Sequence, residues 1–256
     1  MISDAVHSAS DVMTTFVVMA GVKLANKASD KEHPYGHERL ECVAAIILSV
    51  ILGLTGLGIG WARIGKIRGG SSSLAVPGGL ALAAAVISIL VKEGMYWFTR
   101  AAAKKTDSGA LMADAWHHRS DALSSIGSFV GILGARMGLP VLDPVASVVI
   151  CAFIIKAAVD IFRDAISKMT DRACDDATVQ ALRETVLTNE QVLGIDRLST
   201  RIFGDKFYVE LEIATDADLS LSQAHDIAEH VHDAVEREFS KVKHCMVHVN
   251  PAGKHH

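Results

Sequence analysis

Residues 42–62 read CVAAIILSVILGLTGLGIGWA, and this stretch decides how the rest of the chain is read. It carries no charge, and about 20 consecutive apolar residues are enough to cross a bilayer as a helix. A second uncharged run covers residues 74–91. Past Lys92 and Glu93 it continues through GMYWFT toward Arg100. Three further apolar segments, at roughly 3–23, 110–135 and 140–162, are interrupted by a few ionisable residues. The pattern predicts an α-helical polytopic membrane domain of five helices over residues 1–168. Residues 1–11 already hold Asp4, His7 and Asp11, which argues against a cleaved signal peptide.

The composition agrees with a lipid-embedded chain. Of 256 residues, half are hydrophobic and 21% are charged, while aromatics make up only 5%. The mean hydropathy is +0.30. These values exclude a disordered chain and argue against an ordinary soluble enzyme. A net charge of -4 excludes a strongly basic nucleic-acid binder. Cys42, Cys151, Cys174 and Cys245 are far apart and form no CxxC, so they read as reduced packing residues.

Basic residues set an expected orientation. Lys23, Lys27, Lys31 and Arg39 fall in the loop at 23–41, and Arg100, Lys104 and Lys105 in the loop at 100–109. The alternate loops carry Arg63, Lys66 and Arg68 in one case and Arg136 in the other. The bias places 23–41, 100–109 and the C-terminal region in the cytoplasm.

Residues 169–256 change character and predict a small α+β domain. Residues 175–190 read as a helix with Val179, Leu182 and Val186 on one face. Residues 206–213 alternate, with Phe207, Val209, Leu211 and Ile213 on the buried side and Tyr208, Glu210 and Glu212 on the other. Residues 221–239 form an amphipathic helix with Ala224, Ile227, Ala228, Val231 and Val235 inward. A short strand closes the domain at 244–250, and 194–203 shows a weaker strand pattern.

The most informative feature is an internal match inside the apolar region. Residues 4–11 read DAVHSASD and residues 114–121 read DAWHHRSD. Each copy separates a histidine and an aspartate by four residues, His7 with Asp11 and His117 with Asp121, which puts both on one helix face. An aspartate at the bilayer centre costs roughly 2.5–3.5 kcal/mol on insertion scales, so such groups call for a purpose. Two imidazoles and two carboxylates make a tetrahedral set that zinc accepts. The alternative is that each pair bonds internally and holds helices together. His118 points about 100° from His117, which makes it a supporting or packing residue. Asp4 and Asp114 fit either an access path or a helix N-terminal charge.

The loop ASDKEHPYGHERLE at 28–41 holds a second cluster, Asp30, His33 and His37. Pro34 and Gly36 prevent a regular helix, so these groups sit on a turn. That turn either folds around an ion or remains a solvated polar loop. Glu212, His225 and His248 lie on the middle strand, the amphipathic helix and the last strand, and spacing does not derive their convergence. His230 and His232 read as solvated helix positions, and His255 and His256 as tail.

DAVHSASDV at 4–12, DKEHPYGHERLE at 30–41, ADAWHHRSDALSS at 113–125, MTDR at 169–172 and the QAH and VHVNP segments at 223–225 and 247–251 together resemble the cation diffusion facilitator family of zinc/proton antiporters. The resemblance covers essentially the whole chain in order. It implies six membrane helices, of which the first is absent here because the His7 and Asp11 helix corresponds to the second. We read this as an incomplete start. It also implies a metallochaperone-like cytoplasmic α+β domain at 169–256 and a homodimer. It assigns a transport site to His7, Asp11, His117 and Asp121, and a loop metal site to Asp30, His33 and His37. It assigns a charged link to Arg39 and Asp171, and a weaker cytoplasmic metal site to Glu212, His225 and His248. Two departures weaken that last site: the position near Asp196 is not histidine, and Asn250 replaces a carboxylate.

The function so implied is a secondary transporter, not an enzyme. It exports a divalent cation from the cytoplasm in exchange for protons, across the plasma or inner membrane, without a cofactor and without nucleic acid. Histidine rather than aspartate at position 7 shifts the expected cargo to zinc, ahead of iron, cobalt, cadmium or manganese. A non-transporting metal-binding scaffold is the competing class. An intramembrane metal hydrolase is disfavoured because no HExxH motif occurs.

Overall fold

The computed structural model describes residues 16–68, 79–136, 142–204 and 206–253. The chain forms two compact units, Met1–Ile166 and Ser167–His256. The first unit is helical. Its described elements are α1 (Phe16–Ala25), α2 (Arg39–Arg68), α3 (Gly79–Thr106), α4 (Gly109–Arg136) and α5 (Leu142–Met169), whose last turn enters the second unit. Within α2, Arg39–Trp61 spans 23 residues at a mean hydropathy of 2.5, long and apolar enough to cross a bilayer. The 28-residue helices α3, α4 and α5 have the length, roughly 42 Å at 1.5 Å per residue, but carry ionisable groups.

Small residues set how these helices pack. The core of the first unit combines Val18, Leu48, Leu52, Ile154 and Ile161 with Ala44, Ala110, Ala113 and Ala158. Gly21 on α1 lies so close to Ala44 on α2 that a Cβ there would overlap the Ala44 Cβ. A Cβ at Gly127 on α4 would come within 2.8 Å of the Ile150 side chain on α5. Such close approach is how helices associate where lipid removes the hydrophobic drive between them. Leu54, Leu57, Trp61, Leu90, Phe98 and Phe153 face outward instead, as suits side chains solvated by lipid.

The helices are longer than the apolar runs alone predict. The loop expected at 100–109 is mostly helix, because α3 runs through Ala101, Ala102, Ala103, Lys104 and Lys105 to Thr106. Alanine and lysine are good helix formers, and cations are favourable in a last turn. The turn itself is short. Asp107 takes a positive φ of 49°, and the Ser108 hydroxyl accepts the Leu111 N–H at 3.2 Å to start α4. Likewise α5 continues past residue 162 to Met169.

The second unit holds α6 (Asp176–Leu187), β1 (Gly194–Phe203), β2 (Lys206–Thr215), α7 (Leu221–Glu238) and β3 (Val242–Pro251). The sheet order is β1-β2-β3, with β1 antiparallel and β3 parallel to β2, so α7 is the crossover between the parallel strands. Local sequence fixes both helix starts. Asp175 accepts the Thr178 N–H at the head of α6, and Ser220 with Gln223 forms a capping box on α7. The core joins Leu182 and Val186 to Val209, Leu211 and Ile213, and to Ile227, Val231 and Val235.

Two positions depart from the exposure expected of them. Tyr208 was expected on the exposed side of β2 but is buried. The second face of the sheet covers it: Phe203 lies 4.8 Å away ring to ring, and the Arg201 guanidinium sits 5.3 Å over its ring. His232, expected to be solvated, is half-buried, and its Nδ1 lies 2.8 Å from the Cys245 carbonyl oxygen.

Candidate metal sites

In α4, helical spacing carries His117 and Asp121 to one buried face, where they are 6% and 7% exposed. Ser120 beside them is fully buried. The Lys92 ammonium on α3 lies 3.3 Å from Asp121 Oδ2. The next residue on α3, Glu93, meets Arg119 of α4 at 3.5 Å. The Arg119 guanidinium stacks 4.3 Å over the ring of Tyr96, itself buried. The His118 ring lies 6.2 Å from that of His117, and its Nε2 approaches Asp114 at 3.6 Å, one turn back on its own helix. His7 and Asp11 lie outside the described residues, as does Asp4.

The second cluster sits on the connection between α1 and α2. Asp30, His33 and His37 bring one ligand atom each within 4.8 Å of one another, the one His/Cys/Asp/Glu group of three or more so placed among the described residues. Asp30 organises the turn. Its Oδ1 accepts the backbone N–H of Glu32 at 3.1 Å and of His33 at 2.8 Å. Gly36 takes a φ of 98°, a left-handed conformation that glycine adopts freely. That bend brings the His33 and His37 rings together, tilted by 45° with centroids 4.5 Å apart. His33 is exposed and His37 is buried.

Two of the donor separations, each to a different oxygen of Asp30, match those around a small divalent ion. His33 Nδ1 lies 3.3 Å from Asp30 Oδ1, and His37 Nε2 lies 3.5 Å from Asp30 Oδ2. Arms of about 2.0–2.2 Å at tetrahedral angles give ligand separations of roughly 3.3–3.6 Å. The Lys27 ammonium also reaches Asp30 Oδ2, at 2.7 Å. Together with the His33 N–H, Lys27 holds the Asp30 carboxyl well below the usual carboxylate range, so it is an anionic donor at neutral pH.

The cytoplasmic triad is not assembled within one chain. Glu212 and His248 are partners in register on β2 and β3. Their neighbours Leu211 and Ile213 pack against Ile227 and Val231 of α7, so Glu212 and His248 occupy the opposite face from the helix carrying His225. Glu212 meets Arg197 at 3.7 Å, and His225 is exposed beside Glu229. Asn250 instead donates to Asp196 at 2.9 Å. Arg39 opens α2, and Asp171 follows α5 with a φ of 60°.

Sequence reasoning passed over Lys92, Glu93, Arg119 and Lys27 as site residues. The signal was present for the first three, since ionisable residues in apolar helices normally face a partner or a pathway. Lys27 precedes Asp30 by three residues, a spacing that carries meaning only once the turn is known.

The comparisons with known proteins agree along the chain. Residues 1–170 match the cation efflux transmembrane domain, and residues 174–252 match the cytoplasmic domain of cation efflux proteins. Metal tolerance protein C1 of Arabidopsis thaliana is 36% identical over 265 residues, covering 98% of this chain and 56% of that protein. Metal tolerance protein 2 of Oryza sativa subsp. japonica is 35% identical, covering 96% of this chain and 70% of that protein. The manganese efflux system protein MneP of Bacillus subtilis is 31% identical, covering 97% of this chain and 85% of that protein. The chain therefore spans little more than half of the Arabidopsis relative and most of the bacterial one. With a family match over both units, the chain belongs to the cation efflux family, the cation diffusion facilitators.

Proposed function

We propose that this chain exports a divalent metal cation, zinc first, from the cytoplasm in exchange for protons. The observation that carries the reading is the burial of His117 and Asp121, one turn apart, on a helix of an apolar unit. His7 and Asp11 repeat that spacing in the sequence and supply two more nitrogen and oxygen donors. Such a set suits zinc and lacks the thiolates a softer ion prefers. Imidazole and carboxylate bind metal only when deprotonated, so protons and metal compete for the same atoms. Alternating exposure of the site then converts a proton gradient into metal efflux.

Asp30, His33 and His37 bind a further ion on the α1–α2 connection, beside the membrane rather than within it. The match of residues 174–252 to the family's cytoplasmic domain supports a homodimer joined through that domain. Manganese is the second reading for the cargo, favoured by the relative named for manganese efflux.

The test is metal uptake into inverted vesicles. Zinc uptake driven by an imposed proton gradient falls to background in His117→Ala and Asp121→Ala. Uptake at the unsubstituted rate in both variants refutes the assignment. Substituting manganese for zinc in the same vesicles decides the cargo, and collapse of uptake when the gradient is dissipated decides the coupling.

A further inference from the structure

The feature that a four-ligand site leaves unexplained is Lys92. It sits in α3 between residues that face outward, with Ile87, Leu90, Val91, Trp97 and Phe98 all exposed on the lipid-facing side. Lys92 itself is turned toward α4, and its ammonium meets Asp121 Oδ2 at 3.3 Å. Asp121 is 7% exposed. The neighbouring charge is settled separately, because Glu93 meets Arg119, and Arg119 also stacks on Tyr96. Two ion pairs thus join α3 to α4 among the described residues. One consists of residues with no assigned role, and the other includes the proposed transport ligand.

We propose that Lys92 is a tethered counter-cation that occupies Asp121 when the transport site is empty and is displaced by the incoming metal. This rests on the transport reading given above and deepens it. A divalent ion bound at the Asp121 carboxylate would lie close to an ammonium held 3.3 Å from Oδ2, and two like charges at that range repel strongly at low dielectric. The lysine side chain has four rotatable carbons and a compact charge, so it can withdraw along its stem rather than break the helix pair. When the metal leaves, the ammonium returns. Asp121 then keeps a cation beside it in both states, which offsets the cost of an ionised group in an apolar helix.

Two consequences follow. Lys92 weakens metal binding, because every bound ion first displaces it. It also speeds release, because the returning ammonium competes for the carboxylate. A residue of this kind sets affinity against turnover without itself binding the metal. On the α1–α2 connection a lysine also pairs with a proposed ligand, Lys27 with Asp30 at 2.7 Å, within one turn. There the lysine lies on an exposed turn and is free to exchange with solvent.

The experiment compares zinc transport by the full chain in proteoliposomes for Lys92→Met, Lys92→Arg and Asp121→Asn. Methionine keeps the length of the stem and removes the charge. Lys92→Met is expected to lower the apparent KM about tenfold or more, the scale on which one like charge beside a site acts, while turnover falls. Lys92→Arg keeps the charge and is expected to stay near the unsubstituted KM. A Lys92→Met KM that is unchanged overturns the proposal. So does a raised one, because a lysine that merely packs α3 on α4 loosens the site when removed. Asp121→Asn tests the underlying reading by itself: if it transports zinc normally, the transport assignment fails whatever Lys92 does.

Discussion

Gly21 and Gly53 lie in neighbouring helices of the same unit, and replacing each by alanine should move stability in opposite directions. At Gly21, on α1, the added methyl overlaps the Ala44 Cβ of α2. Ala44 is 4% exposed and has no flexible arm to move aside, so the helices themselves must separate. Overpacking of this kind costs about 1–3 kcal/mol. At Gly53, on α2, the nearest atom to the added methyl is the Ala158 Cβ at 3.7 Å, an ordinary contact. There the change removes a glycine from a helix interior and gains about 0.5–1 kcal/mol. The assay is thermal unfolding of the purified full chain in detergent, followed by circular dichroism. At about 2–4 °C per kcal/mol for a chain of this size, the two variants should differ by several degrees and straddle the unsubstituted protein. The α1–α2 connection carries Asp30, His33 and His37, so Gly21→Ala should also weaken zinc retention at that loop, while Gly53→Ala should not. If both variants shift the same way, or if Gly21→Ala is as stable as the parent, the close α1–α2 approach is refuted.

Two further outcomes follow from the second unit. Hydrogen bonds from Thr178 hold the Asp175 carboxyl below its ordinary range, so its contribution to α6 is complete above the unfolded-state value, near 3.9, and disappears as pH falls through the lowered native value. Asp175→Asn should therefore be less stable than the parent at pH 7, and the gap should close on acidification, as read by denaturant unfolding across pH 2–7; a gap that widens at low pH contradicts the capping role. Burial pushes the Cys245 thiol up to about 12, so a thiol-reactive probe at pH 8 should leave Cys245 unlabelled in the folded protein and label it after denaturation, as read by peptide mass; prompt labelling of the native protein counts against its burial between β3 and α7.

Legibility in the sequence followed the reach of the forces involved. The alternation of Phe207, Val209, Leu211 and Ile213 is local, and it located β2. The 3.6-residue period of Ile227, Val231 and Val235 did the same for α7. His33 and His37 were readable as turn residues because Pro34 and Gly36 forbid helix by their own backbone chemistry. Tyr208 was misread because its burial depends on Phe203 and Arg201, contributed by another strand. His232 was misread because its partner is a carbonyl thirteen residues away. Glu212, His225 and His248 share ligand chemistry, but whether they meet depends on which face of the sheet α7 covers, and that is decided by the crossover rather than by spacing. Lys104 and Lys105 looked like loop charges because hydropathy marks where apolar sequence ends, not where the helix does.

The repeat itself acquires a physical explanation once α4 is seen in place. The second copy shares Asp114, Ala115, His117, Ser120 and Asp121 with the first and differs from it at Trp116, His118 and Arg119. Of the shared positions, Ala115, His117, Ser120 and Asp121 are buried. The positions that differ make the contacts particular to this helix. The Trp116 and Tyr96 rings meet at 5.9 Å, Arg119 stacks on Tyr96 and pairs with Glu93, and His118 turns back to Asp114. Residues 6, 8 and 9 of the first copy are Val, Ser and Ala, which offer no guanidinium, imidazole or indole for such contacts. Three of the recurring positions, His117, Ser120 and Asp121, share the one buried face of α4 that a ligand would require. Of the positions that differ, Trp116 and Arg119 meet the neighbouring α3. Residues kept only for packing would have no reason to recur at equal spacing, because packing partners, unlike a shared ligand, differ from one segment to another.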